Sequence, residues 1–137
     1  MDETHEKLNS ELESVDRAEE LVVGKARSLG LDEDELAHFG MAVRECMVNA
    51  VVHGNRYNKN KNVHVNVRKS GGDFEVRIRD EGEGFDHSQV PDPLDDANVL
   101  RHSGRGLFLM GAFMDEVKVE KASPCGTEVT LSKKLAS

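Results

Sequence analysis

A carboxylate and an amide lie one helical turn apart in the stretch GMAVRECMVNAVVHGN, which covers residues 40–55. Glu45 and Asn49 are four positions apart, so on a helix their side chains would share one face at a separation of roughly 6 Å. Most neighbouring residues are apolar and predict a packed helix: Ala42, Val43, Cys46, Met47, Ala50 and Val51. Such a pair can ligate Mg²⁺, which takes oxygen ligands and keeps waters and substrate phosphates in its shell. The alternative is two polar residues at the rim of a core helix.

A second candidate site is the sequence DEGEG, residues 80–84, which follows a predicted strand. Glycines two and four positions after Asp80 would let a flat ligand approach the backbone where a Cβ would collide with it. The Asp80 carboxylate could accept a hydrogen bond from an exocyclic amine of that ligand. The alternative is a tight turn in which Gly82 and Gly84 serve only the backbone geometry.

A third candidate is the sequence SGRGL, residues 103–107, at the start of a predicted helix. Glycines there leave backbone N–H groups free to face an anion, and the helix dipole and Arg105 add positive charge. This pattern favours a phosphate site, although a flexible hinge before a core helix is the alternative. The stretch matches neither a Walker loop nor a GxGxxG dinucleotide fingerprint.

Two helices are predicted to hold the first candidate site. One begins at Ser14 and ends at Gly30, with apolar residues at helical spacing on one face. The next begins with a capping box formed by Asp32 and Glu35, and it ends near residues 53–55. The second helix is therefore long and carries both Glu45 and Asn49.

Strands are predicted to hold the remaining residues. Residues 63–68 and 74–79 alternate between apolar and polar side chains around the turn SGGD, which predicts an antiparallel hairpin with one solvent-exposed face. Two further strands are predicted from residue 117 and over residues 127–131. The spacing of residues 7–12 fits either a strand or a single helical turn.

Composition limits the possible functions. The chain has 137 residues, which suits one domain with a real core. Its net charge of −8 argues against a general nucleic-acid binder, which would need positive charge to neutralise phosphates. Cys46 and Cys125 form neither a disulfide framework nor a metal-ligand spacing. The absence of a signal-peptide pattern and of a membrane-length apolar run predicts a soluble protein of the cytoplasm, with no membrane partner.

The segment 87–103 contains two prolines and three aspartates with few apolar residues. A segment of this length without strong periodicity is either disordered or a lid over a site. Its two prolines and weak periodicity give it little reason to hold one conformation alone, and our hypothesis is a lid.

Taken in chain order, the candidate sites resemble a known set of motifs. Glu45-xxx-Asn49, Asp80-x-Gly82-x-Gly84, Gly104-Arg105-Gly106-Leu107 and Gly126-Thr127 look like the asparagine box and three glycine boxes of the GHKL (Bergerat-fold) ATPases. The match covers about residues 8–132, and four motifs in order are far more specific than one. Within that superfamily the chain resembles the bacterial anti-sigma-factor serine kinases of partner-switching systems.

The resemblance implies a magnesium-bridged ATP and a role for each motif residue. Asn49 would bind Mg²⁺, and Glu45 would act as general base or position the nucleophile. Arg105 would stabilise charge on the terminal phosphates, as the second catalytic residue. The phosphates would lie against Gly104, Arg105, Gly106 and Leu107. His53 and Asn55 stand where the family often has polar residues, but no role follows for them.

For the base, the resemblance implies that Asp80 binds the adenine amine. Gly82 and Gly84 would lie against the adenine face, and Thr127 would add a supporting hydrogen bond near the base. These assignments place residues 80–84 at one end of the nucleotide and the phosphate-binding motif at the other.

The implied fold is α+β: a two-layer sandwich with helices on one face of a mixed, mostly antiparallel sheet, as one domain over residues 1–137 with a lid at about 87–103. The implied function is an ATP-dependent protein serine/threonine kinase and anti-sigma factor that phosphorylates a STAS-type anti-anti-sigma partner and sequesters a sigma factor. A homodimer is expected, because the polar first strand would be a poorly covered sheet edge. The alternative function is a nucleotide-gated binding module without phosphotransfer.

Overall fold

The computed structural model describes residues 3–82, 114–121 and 126–135 of the chain. Five strands, two α-helices and one π-helix lie within these ranges. In chain order they are β1 (Glu3–Asn9), α1 (Glu13–Ser28), α2 (Glu33–Val48), the π-helix (Asn49–Gly54), β2 (Asn62–Ser70), β3 (Asp73–Arg79), β4 (Glu116–Lys121) and β5 (Thr127–Lys134). Several predicted features lie outside the described residues: Gly84, the segment 87–103, Gly104, Arg105, Gly106, Leu107 and Cys125.

The five strands form one sheet in the order β1-β2-β3-β5-β4, and each described pairing is antiparallel. The α+β architecture predicted from the sequence is confirmed. The predicted hairpin is β2 and β3, which pair from His64 with Arg79 to Ser70 with Asp73. Its two-residue turn is closed by Gly71, whose φ of 60° lies in the left-handed region that glycine tolerates.

Residues 7–9 of the ambiguous range 7–12 belong to the first strand, whereas residues 10–12 connect it to α1. β1 pairs antiparallel with β2, from Glu3 opposite Arg68 to Asn9 opposite Asn62. It is an edge strand, and most of its side chains are exposed or half-buried. A neighbouring strand, rather than a local pattern, therefore decides its conformation.

The predicted helix termini are confirmed except at the start of α1, which begins at Glu13 and not at Ser14, after Leu12 without a side-chain capping bond. Gly30 has a φ of 94° and ends the first helical segment in the left-handed conformation. At the start of α2, Glu35 N–H donates to Asp32 Oδ1 at 2.8 Å, and Asp32 N–H donates to Glu35 Oε1 at 3.0 Å. The predicted capping box is confirmed.

One apolar core joins the helices to one face of the sheet. Phe74 on β3 and Phe39 on α2 pack edge to face, with ring centroids 5.1 Å apart and planes at 76°. Alternate residues of β2 and β3 are fully buried, whereas those between them are half-buried. Packing of α2 on β3 brings the helical candidate residues over the sheet.

The end of the long helix has a feature that the sequence did not predict. After Val48 the backbone continues as a π-helix over Asn49–Gly54, with Asn55 N–H donating to Ala50 O at 2.7 Å. Arg56 and Tyr57 then take positive φ values of 51° and 59° and turn the chain away. The predicted helix end at residues 53–55 is confirmed, but its last turn is wider than an α-helical turn.

Across the described ranges 3–82, 114–121 and 126–135, no helix is both long enough and apolar enough to cross a membrane.

Candidate functional site

Glu45 and Asn49 mark the helical side of the candidate site. Asn49 follows the last residue of α2, and its backbone N–H donates to the carbonyls of Glu45 and Cys46. Both side chains are half-buried, and neither has a hydrogen-bond partner among the described residues. Burial raises the pKa of the Glu45 carboxyl above its ordinary value. The structure thus places a carboxylate and an amide one turn apart on one helix.

These two oxygen-bearing groups suit Mg²⁺. The described part of the chain contains no cluster of three or more His, Cys, Asp or Glu side chains able to hold a metal. Mg²⁺ does not require such a cage, because it is often bound by one or two protein oxygens together with substrate phosphates and waters. Asn49 can supply one oxygen of that kind, and the Glu45 carboxylate lies one turn away.

Asp80 is the centre of the strand side. It follows the last residue of β3 and is only 6% exposed. Its Oδ1 accepts hydrogen bonds from Gly82 N–H at 3.0 Å and Thr127 N–H at 3.1 Å. Among the described residues no donor reaches Oδ2. One carboxylate oxygen is therefore fixed by the protein, and the second can accept a hydrogen bond from a ligand.

The environment of Asp80 opposes its negative charge. Burial raises the pKa of the carboxyl, and this effect outweighs the opposing hydrogen bonds from Gly82 and Thr127 and the positive charge of Lys61. A buried carboxyl with a perturbed pKa marks a candidate functional site.

Three glycines allow the backbone to close tightly around Asp80. A Cβ on Gly54 would collide with the Asp80 carboxylate, and a Cβ on Gly82 would collide with the Gly54 carbonyl. A Cβ on Gly126 would collide with the Asp80 carbonyl, and Gly126 also has a φ of 94°. Gly82 thus has a packing role that the sequence interpretation did not include: it lets the end of the π-helix meet the end of β3.

Thr127 lies beside Asp80 and contacts it through its backbone. Its N–H donates to Asp80 Oδ1, while its carbonyl accepts from Asp80 N–H at 3.0 Å. The first residue of β5 therefore orients the carboxylate. The contact of Thr127 with a base stays a prediction.

Sequence reasoning gave no role to Asn55 or Glu81, and the structure places both at the same junction. Asn55 is 1% exposed, and its Oδ1 accepts from Glu81 N–H at 2.8 Å. The Glu81 carboxylate bonds His64 Nε2 at 2.5 Å, and this contact is the main cause of a lowered Glu81 pKa. The only sequence signal for the role of Asn55 was an asparagine directly after a helix. His53, by contrast, is exposed.

Some of the predicted site residues lie within the described ranges and others lie outside them. The structure brings Asp80, Gly82 and Thr127 together, and it places Glu45 and Asn49 on the helix that leads to Gly54. Five predicted binding residues lie outside the described ranges: Gly84, Gly104, Arg105, Gly106 and Leu107. Their roles stay predictions.

Comparison with solved structures identifies the same architecture. The RsbU and RsbW domains of a Mycobacterium tuberculosis protein superpose with a TM-score of 0.71 at 19% identity, over 100% of this chain and 33% of that one. A mycobacterial sensor histidine kinase, MprB, superposes with a TM-score of 0.58 at 21% identity, over 96% and 98% of the two chains. At such identities the likeness concerns the fold alone.

Curated relatives are closer in sequence. The anti-sigma F factor of Halalkalibacterium halodurans is 38% identical over 104 residues, covering 74% of this chain and 71% of the relative. The serine-protein kinase RsbW of Bacillus subtilis is 34% identical over 118 residues, covering 82% and 72%. The anti-sigma F factor of Geobacillus kaustophilus is 33% identical over 136 residues, covering 98% and 93%.

The sequence profile described as "Histidine kinase-like ATPase domain" matches residues 8–133, nearly the whole chain. This range contains α2, the π-helix and the strand ends that surround Asp80. The chain therefore belongs to the histidine kinase-like ATPase domain family.

Proposed function

We propose that this chain is an ATP-dependent protein serine/threonine kinase and anti-sigma factor of a bacterial partner-switching system. It phosphorylates a STAS-type anti-anti-sigma protein and binds a sigma factor in the cytoplasm. The family implies ATP binding, and the names of the relatives support an anti-sigma kinase. The observation that carries phosphotransfer is Glu45, a half-buried carboxylate of raised pKa one turn before Asn49.

Nucleotide recognition is divided between the two sides of the site. The Asp80 Oδ2, which no donor of the described residues reaches, accepts a hydrogen bond from the adenine amine, while Gly82 and Thr127 hold Oδ1. Asn49 ligates Mg²⁺, which when bound neutralises charge on the phosphates. The predicted motif Gly104–Leu107 completes the phosphate end of the proposal, with Arg105 as its cation.

In the transfer step the partner's serine hydroxyl oxygen bonds to the γ-phosphorus of ATP. The bond from that phosphorus to the bridging oxygen breaks, and ADP carries away the electron pair. Glu45 accepts the hydroxyl proton, so atoms and charge balance without another reactant. A carboxyl whose pKa is raised is a stronger base when ionised, which suits this role.

The test measures transfer of labelled γ-phosphate from ATP to a co-encoded STAS-domain protein. Glu45→Gln should keep nucleotide affinity and lose about 10² to 10⁴ in rate, the usual contribution of a general base. Asn49→Ala should lose affinity for the triphosphate and transfer together. Glu20→Ala, which removes an exposed carboxylate on α1, is the matched control and should retain both.

The opposite result would favour a nucleotide-gated binding module. In that case wild type transfers no phosphate to any STAS protein encoded nearby, while ATP still changes its affinity for a partner. Glu45 would then be a structural carboxylate.

The proposed kinase assembles as a homodimer, consistent with the exposed edge strand β1. Light scattering at micromolar concentration tests this, and a monomer mass would count against it.

A further inference from the structure

Asn55 is a buried residue for which the sequence predicted no binding or catalytic role. We infer that it is a positioning residue, which orients Asp80 so that the carboxylate selects adenine over bases without a 6-amino group. The inference rests on the proposed function, because it takes Asp80 as the partner of the base.

The Asn55 side chain joins three separate parts of the chain. Its Nδ2 donates to Ser10 Oγ at 2.9 Å, just after β1, and to Asn62 O at 3.0 Å, at the start of β2. Its Oδ1 accepts from Glu81 N–H at 2.8 Å, just after β3. The ends of three strands are thereby linked to the residue that follows the π-helix.

The partners require an asparagine at this position. A backbone carbonyl at Asn62 needs a donor, and a backbone N–H at Glu81 needs an acceptor, so the amide can lie in one orientation only. Aspartate would keep the acceptor and lose both donors, whereas alanine would lose all three bonds. Of these two replacements, only aspartate keeps an acceptor for the Glu81 N–H, although it also places a carboxylate beside the Asn62 carbonyl.

The bond to Glu81 controls Asp80 through the peptide unit that joins them. That unit is planar, so fixing the Glu81 N–H also fixes the plane that contains the Asp80 carbonyl. The Asp80 carbonyl packs against Gly126, where a Cβ would collide with it. Asn55 thus holds one end of the plane while Gly126 closes on the other, and together they fix the backbone that carries the Asp80 side chain.

The π-helix also contacts Asp80 directly, through packing and without a hydrogen bond. Gly54, the residue before Asn55, packs directly against the Asp80 carboxylate and against Gly82. Loss of the Asn55 side chain would release the Glu81 N–H while leaving this steric contact in place. The expected consequence is a carboxylate that is still present but misaligned for its ligand.

The experiment compares the affinity for ATP with that for inosine triphosphate, which carries a 6-oxo group in place of the 6-amino group. Isothermal titration calorimetry of the full chain gives the ratio of the two dissociation constants. Asn55→Ala should reduce the preference for ATP about tenfold, which equals about 1.4 kcal/mol. Asn55→Asp keeps an oxygen for the Glu81 N–H and should restore most of the preference.

Ser10→Ala is the matched control, because it removes the contact of Asn55 with Ser10 and spares the bond to Glu81. It should lower the melting temperature and leave the ATP preference unchanged. The inference is overturned if Asn55→Ala keeps the wild-type preference for ATP. It is also overturned if Asn55→Asp and Ser10→Ala both lose that preference as fully as Asn55→Ala does. If Asn55 had a purely structural role, each variant would lose ATP preference in proportion to its loss of folding stability.

Two further outcomes are decisive. If wild type binds both nucleotides equally, the assignment of Asp80 to adenine fails and the inference fails with it. The failures of the Asn55 and Ser10 variants described above would leave the proposed function intact. If Asn55→Ala does not fold, amide hydrogen exchange of wild type decides. The Glu81 N–H must then be protected in wild type and in Asn55→Asp, and rapid exchange at Glu81 in folded wild type would overturn the inference.

Discussion

Replacing Asp80 with asparagine separates the two oxygens of its carboxylate. Asn can still present one oxygen to the N–H groups of Gly82 and Thr127, so the local structure should survive. The other oxygen becomes an NH₂ group, which meets the adenine amine as donor against donor. We therefore expect Asp80→Asn to keep the fold and to lose ATP.

The magnitude follows from one charge-assisted hydrogen bond, about 1.5–3 kcal/mol. A loss near the middle of that range weakens binding about 50-fold. At a nucleotide concentration of about 100 times the wild-type dissociation constant, stabilisation by ligand falls from about 2.7 to about 0.6 kcal/mol. For a chain of 137 residues this reduces the shift in melting temperature from about 9 °C to about 2 °C.

Without nucleotide, the pH dependence of stability provides an independent check. Because burial raises the pKa of Asp80, the folded state binds more protons than the unfolded state between the two pKa values. Wild-type stability should therefore fall as the pH rises from the unfolded pKa through the higher folded pKa. Asp80→Asn lacks this loss and should gain stability relative to wild type between acidic and neutral pH.

Thermal scans with and without ATP, over a range of pH, measure both effects. Asp80→Ala is the contrasting variant, because it leaves the N–H groups of Gly82 and Thr127 without their acceptor and should cost about 1–3 kcal/mol by itself. An unchanged ATP shift in Asp80→Asn would remove Asp80 from the base site. A melting temperature as low as that of Asp80→Ala would show that the asparagine does not reproduce the two hydrogen bonds.

The glycine contacts and the buried thiol give two more predictions. Gly54→Ala should abolish the ATP-dependent shift, because its Cβ would collide with the Asp80 carboxylate, whereas Gly24→Ala in α1 meets nothing within 4 Å and should gain about 0.8–1 kcal/mol. An intact shift in Gly54→Ala would show that the junction can relax. Burial raises the pKa of Cys46 to about 12, so iodoacetamide at mildly alkaline pH should modify it only as fast as the chain unfolds, and mass mapping of faster labelling would contradict its burial.

Local signals predicted the elements that local chemistry decides. The capping box at Asp32 and Glu35 and the left-handed Gly30 each act within one turn of helix, so they can be recognised from neighbouring residues. The hairpin around Gly71 is similar, because strand alternation and turn composition lie within one short stretch. Strand β1 differs: its sequence suits two conformations, and pairing with β2 selects one.

The candidate site was predictable where a motif carries its chemistry in residue type. Asp80 and Gly82 were named as candidates in this way, and the structure places them together with Thr127. Their contact with a nucleotide stays a prediction. The contribution of Asn55 was not predictable, because its partners are backbone groups and a hydroxyl that any sequence could provide. Their separation along the chain, from residue 10 to residue 81, appears only after folding.

The π-helix explains why helical periodicity could not reveal this junction. Sequence reasoning places each residue on a helix by a constant angle, and that assumption holds for α2 as far as Val48. From Asn49 the hydrogen bonds span five residues instead of four, so the positions that follow are displaced around the axis relative to an α-helix. The displaced end is where Gly54 meets Asp80 and Asn55 meets Glu81. A change of helical register thus connects the Glu45 and Asn49 side of the site to its Asp80 side, and a variant that restored α-helical hydrogen bonding there should separate the two.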